Sequence, residues 1–128
     1  LNSEIAYAKQ LIDAFLAYDQ NIKIIVGLST ICENTGAGWN NNYDESMMSH
    51  DLYIEWTHRF WQLLISNFDK GAYNSRVSIS NEAIFLDRDE GYPKVSGMHV
   101  NGVHPDQSGY EQLGIGMACA LNKLLNSS

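Results

Sequence analysis

Apolar positions recur at helical spacing over residues 3–18, where Ile5, Ala8, Ile12, Phe15 and Leu16 form one stripe. Ser3 offers an N-cap and Glu4 a first-turn acid, and Asp19-Gln20-Asn21 breaks the pattern. Ile22 to Leu28 then reads Ile-Lys-Ile-Ile-Val-Gly-Leu, the short β-branched composition of a strand buried on both faces. Residues 29–46 read as a long loop rich in Asn, Gly, Ser and Thr, and a second helical pattern runs from Asp44 or Ser46 to Phe68. Met47, Ile54, Trp61, Leu64, Ile65 and Phe68 line one side of it, with His58 on the same stripe as a packed helix residue. After a turn-like break over 71–75, Arg76 to Ser80 alternates with period two, and Ala83-Ile84-Phe85-Leu86 continues as an apolar run ending at Asp87. Residues 88–105 are irregular and hold both prolines. A last helix starts near Asp106 to Ser108, where Ser108-Gly109-Tyr110-Glu111 fits a capping box, and Leu113, Met117, Ala120, Leu121 and Leu124 are its stripe. Helices alternate with strands, and there is no internal repeat or low-complexity linker. The pattern predicts one α/β unit over residues 1–128 with a parallel sheet.

Composition narrows the partners more than the fold. Eight Lys plus Arg against fifteen Asp plus Glu leave a net charge of −7, a poor match to a phosphate backbone, so nucleic acid is not an expected partner. Apolar runs such as Ile24-Ile25-Val26 fall far short of the ~20 residues a helix needs to cross a bilayer, so no membrane span is expected. Three Trp, seven Tyr and four Phe exclude disorder as a reading of the whole chain. Cys32 and Cys119 lack C-x-x-C spacing and read as free, partly buried thiols rather than a zinc knuckle. His50 and His58, eight apart, share a helix face but form no His-x-x-x-His pair. Asp87-Arg88-Asp89-Glu90 reads as a solvated acidic cluster without the pattern of a calcium loop. No metal or cofactor is expected. The chain opens Leu1-Asn2-Ser3-Glu4, with no basic n-region or apolar h-region, and the leading Leu is what a fragment or processed product would carry.

The stretch that carries chemistry is Asn101-Gly102-Val103-His104-Pro105-Asp106-Gln107-Ser108-Gly109-Tyr110. His104 stands on an irregular loop just before a helix, stiffened by Pro105, where an imidazole is well placed to act as a general base. Asn101 is either a turn residue before Gly102 or a residue that holds His104. His99, two positions earlier, shares the same exposed loop. Trp39 and Tyr43 on the long loop either stack on a sugar ring or pin the loop to the body.

Gly-Val-His-Pro, three spacer residues, Gly-Tyr and an amphipathic terminal helix resemble the last block of the SGNH (GDSL-type) hydrolases. The order of the upstream elements, from helix 3–18 through the Ile-Ile-Val strand to Asp87, is similar to the second half of that flavodoxin-like, three-layer α/β/α fold. The resemblance implies ester hydrolysis, with acetyl groups on carbohydrate as the substrate expected first. A Ser of a Gly-Asp-Ser motif would attack the carbonyl, a His of Asp-x-x-His-Pro would take its proton, and a Gly and an Asn would complete the oxyanion hole. His104 matches that His, whereas Asn101 occupies the orienting Asp position. Neither the Gly-Asp-Ser block nor a Gly-x-Asn-Asp block is present in these residues. The resemblance therefore implies a C-terminal portion whose nucleophile comes from an N-terminal half or a second chain. Ser29, after the Ile-Ile-Val-Gly-Leu strand, is a weaker candidate nucleophile because Leu28 stands in place of the Asp. A non-catalytic structural or glycan-binding module on the same scaffold is the competing expectation. Secreted enzymes and phage particles both carry such modules, so the compartment stays open.

Overall fold

Helix α1 (Asn2–Tyr18) forms because Ile5 and Ile12, seven positions apart, drop into one core, with Ala8 and Leu16 beside them. Its cap falls on Leu1, two residues earlier than Ser3 predicts, Ile5 N donating to Leu1 O, while the Ser3 hydroxyl donates to Glu4. Phe15, expected on the buried stripe, instead joins Tyr7, Leu11 and Tyr18 on an outward apolar stripe. The computed structural model describes residues 1–69, 71–73 and 75–126. Asn74 of the predicted turn, and residues 127–128 of the predicted single unit, lie outside them.

Strand β1 (Ile24–Gly27) pairs in parallel with β2 (Val77–Ser80), Ile24 opposite Val77 and Gly27 opposite Ser80. The α/β class therefore holds, with a two-stranded parallel sheet. Helix α3 (His50–Phe68) is the strut between the strands, and Ser49 caps it by accepting from Leu52 N at 3.2 Å. Met47 consequently precedes the helix and is exposed, rather than lying on its stripe. Trp61, Leu64 and Phe68 pack with Ile5, Ile12 and Val77, and Ile24, Val26 and Ile79 close the core from the sheet. His58 turns outward, its ring edge-on to Trp61 with centroids 5.2 Å apart, which corrects its assignment to the buried stripe. Arg76 ties the body together at the start of β2, donating to the carbonyls of Leu16, Asp19 and Ile22.

The run Ala83–Leu86 is not a strand. A 3₁₀ turn over Glu82–Ile84 buries Ala83 and leaves Ile84 and Phe85 exposed. Helix α4 (Gln107–Asn126) packs against this turn through Gly116, where a Cβ would stand 2.3 Å from Glu82 Cβ. It also approaches β1, Met117 facing Gly27. Leu121 and Met117 of its predicted stripe face solvent, and Cys119 is exposed, which corrects its reading as a partly buried thiol. Cys32 is fully buried, and burial pushes its thiol up to about 11. Two elements lie in stretches predicted as irregular: helix α2 (Ala37–Asn42), and a hairpin of β3 (Lys94–Val95) and β4 (Met98–His99). The hairpin turns on Ser96 and Gly97, whose φ values of 53° and 81° are what a two-residue connection demands.

Candidate active site

Both parallel strands point their carboxyl ends toward the segments 28–46 and 81–106, the edge where α/β sheets assemble their sites. His104 stands there, exposed, on the turn that leads into α4. Its ring makes no hydrogen bond or ion pair among the described residues, while its backbone is held tightly. Asn101 Oδ1 accepts from Val103 N at 3.0 Å and from His104 N at 2.9 Å, an Asx turn that fixes the His104 backbone. Both sequence readings of Asn101 thus meet in one geometry: it is a turn residue, and it holds His104 by the main chain rather than by the ring.

Three close backbone approaches seat this turn. Glu33 N donates to Gly102 O at 3.0 Å. A Cβ on Gly102 would lie 2.4 Å from Trp39 N, and one on Gly38 would lie 2.7 Å from the Asn101 carbonyl carbon. On the other side Asp106 N donates to Gly91 O, and a Cβ on Gly109 would lie 2.3 Å from that same oxygen. Asp106, not Ser108, caps α4: its Oδ1 accepts from Gly109 N at 3.0 Å, and that bond with the Ser108 contact holds the Asp106 carboxyl below the usual carboxylate range. Replacing Gly102 with Ala is expected to cost about 1–3 kcal/mol, because the added methyl meets backbone that cannot swing aside. Urea denaturation of the purified variant checks this, and a midpoint equal to that of the parent would contradict the close approach.

Behind the turn lies a charged cluster. Glu33 is 0% exposed, and its Oε2 accepts from Thr35 N at 2.6 Å and Thr35 Oγ1 at 2.8 Å. Its Oε1 accepts from Trp39 N, the third residue of α2, at 3.4 Å, so Glu33 satisfies a first-turn amide of that short helix from outside it, Gly36 being the N-cap. Burial works to raise the Glu33 carboxyl, but the bonds from Thr35 and Trp39 outweigh it and hold the group below the usual range. His99 is buried as well, Nε2 3.1 Å from Asp89 Oδ1 and 3.9 Å from Glu33 Oε2. It is therefore not part of an exposed loop; β4 carries it inward. Asp89 in turn pairs with Lys94 at 2.8 Å, which holds its carboxyl low, and Arg88 donates to the carbonyls of Cys32 and Glu33. So the stretch 87–90 is solvated at Asp87 and Glu90, as expected, while Arg88 and Asp89 tie it to the body. His50 Nε2 lies 2.7 Å from Glu33 O, buried, while His58 lies out on the helix surface. Among the described residues no three His, Cys, Asp or Glu side chains form a group that could hold a metal ion.

The two loop aromatics divide. Trp39 is 2% exposed, its indole N–H donating to Met48 O, and it pins the loop. Tyr43 stacks on it at 4.3 Å between centroids and keeps an open face, 44% exposed. Ser29 is exposed just past β1, and its carbonyl accepts from the Trp61 indole at 2.9 Å. No hydrogen bond joins it to His104 among the described residues. Glu33 and Gly38, which hold the turn, escape a sequence reading because their partners lie more than sixty positions away; the spacing from Glu33 to Thr35 and Trp39 is the one local trace of the carboxylate's bonds.

No family model, curated protein or solved structure matches the chain.

Proposed function

We propose that this chain is the C-terminal portion of an SGNH-type ester hydrolase of flavodoxin-like, three-layer architecture, with His104 as its general base. The observation that carries the proposal is the setting of His104. Its imidazole is open and unpartnered at the carboxyl edge of a parallel pair, on a main chain fixed by Asn101 and by the Gly38–Gly102 approach. A serine from an N-terminal half or a second chain would attack the ester carbonyl as His104 takes its proton. The imidazolium would then return that proton to the leaving alkoxide, and water would release the acid from the acyl-serine in the same way. Two features support a missing complement: β1 and β2 each have an unpaired edge among the described residues, and α1 turns Tyr7, Leu11, Phe15 and Tyr18 outward. An acetylated carbohydrate is the substrate proposed first, with the exposed Tyr43 ring, stacked on Trp39, as its aromatic face.

One observation favours a second reading, a non-catalytic glycan-binding or structural module. The Asn101 side-chain oxygen is spent on two backbone N–H groups, and no carboxylate orients the His104 ring among the described residues. A fluorophosphonate probe separates the two. The isolated chain is expected to give no adduct by intact-protein mass spectrometry, because it offers the base without a paired nucleophile. Mixed with a polypeptide carrying the Gly-Asp-Ser segment, it is expected to promote labelling of that polypeptide. An adduct on Ser29 in the isolated chain would overturn the proposed division of the site, and no labelling in the mixture would leave the binding module standing.

A further inference from the structure

Of the two roles the sequence leaves open for Trp39, sugar stacking and loop pinning, its burial at 2% exposure leaves the second. The indole this chain leaves open is Trp56, 45% exposed on the outer face of α3, whereas Trp39 and Trp61 are 2% and 7% exposed. Trp56 borders a cleft of about 570 Å³ between α3 and the start of α1. Arg59, Gln62, Leu63 and Ser66 line it along α3, and Leu1 and Asn2 close it at the start of α1. Such a volume suits a small ligand, and the lining combines one flat aromatic with a few polar groups, as ligand sites do. The side-chain amides of Asn2 and Gln62 make no hydrogen bond among the described residues, so both can serve a ligand. Arg59 is committed only loosely, 3.7 Å from Glu55.

These groups select a chemistry. A pyranose ring has an apolar C–H face, which packs on an indole, and a rim of hydroxyls, which both donate and accept. Amides answer that rim because they carry donor and acceptor together, and a guanidinium adds donors. A purely apolar ligand would leave Asn2, Gln62 and Arg59 without purpose at the cleft. An anionic glycan would approach a chain of net charge −7 against its field. We propose that the cleft binds a neutral oligosaccharide, one ring stacked on Trp56 with its hydroxyls on Gln62, Asn2 and Arg59. The site lies on the helical layer and does not include His104, so it acts as an anchor for a glycan whether or not the chain hydrolyses esters.

The test uses the purified chain with chitotriose, cellotriose and maltotriose as separate probes. Because Trp56 is the open indole, its accessibility to acrylamide and its indole N–H signal by NMR report the cleft directly. At least one of the trisaccharides is expected to protect Trp56 from quenching and to move its indole signal, and His104→Ala is expected to leave this unchanged. Trp56→Ala is expected to weaken binding by about tenfold or more, the loss of one stacked ring. Gln62→Ala, which leaves the indole in place, is expected to weaken it less, and circular dichroism establishes that both variants keep their helices. No perturbation by any of the three sugars would overturn the proposal. So would binding that survives Trp56→Ala unchanged, or sugar-dependent shifts confined to Tyr43.

Discussion

Replacing His104 with Ala is expected to lower turnover of a small aryl acetate by about 10²–10⁴-fold in the chain assembled with its serine-bearing complement, the range a general base supplies. The fold is expected to persist. The His104 ring is exposed and bonds to nothing among the described residues, while the features that build the turn belong to the main chain and to Asn101, Gly102 and Asp106. The mutation thus removes the proposed base and leaves the scaffold that presents it. Steady-state kinetics alongside a urea titration make the check. Equal turnover in parent and variant, with equal denaturation midpoints, would remove His104 from the chemistry.

The second large effect is on stability. Glu33→Ala is expected to cost about 3 kcal/mol, the order of its two charge-assisted bonds from backbone amides at roughly 1.5 kcal/mol each. The carboxylate has no exposure to water, and its loss strands the amide of Trp39 inside the protein and that of Thr35 beside it. Glu33→Gln keeps an acceptor oxygen and is expected to lose roughly half as much. The pH dependence follows from the sign of the shift. The folded Glu33 carboxyl lies below its ordinary value, so its contribution is complete above the unfolded carboxylate pKa and is lost as pH falls through the lower folded one. Urea titrations at neutral and at acid pH should therefore show the parent and Glu33→Ala converging in acid. A gap between them that stays constant down to the acid limit would contradict this role of the carboxylate.

The parts of this molecule that could be read from residue order are those governed by local periodicity. Helices α1, α3 and α4 declare themselves through Ile5 and Ile12, Trp61 and Phe68, and Ala120 and Leu124, because a buried stripe needs only a 3.6-residue repeat. The Ile-Ile-Val core of β1 was equally plain. What failed were positions decided by distant partners. Ala83–Leu86 has a strand's composition, yet Glu82 is held by Ser80 and packed beneath Gly116, which bends the chain into a 3₁₀ turn. The cap of α4 falls to Asp106 because its neighbour Gly91 fixes the approach, so the Ser108 pattern is bypassed. For the candidate site, the proposed roles of His104 and Asn101 rest on their neighbours in the sequence, Pro105 and Gly102. Glu33, Gly38 and His99 were not legible, because a buried charged or small residue in a loop or in an element as short as α2 or β4 leaves no periodic trace.

The parallel pairing of β1 with β2 also sets the order in which this chain can organise itself. Partners such as Ile24 and Val77 lie about fifty residues apart, with all of α3 between them. Closing a loop of that length costs on the order of 3.5 kcal/mol in chain entropy, before any strand hydrogen bond compensates for it. The helix closes only local contacts and meets no such toll, so it can stand as a preformed ramp that shortens the search. The sheet edge on which the His104 turn rests is then a late arrival in folding, and the geometry of the turn exists only once that long loop has closed.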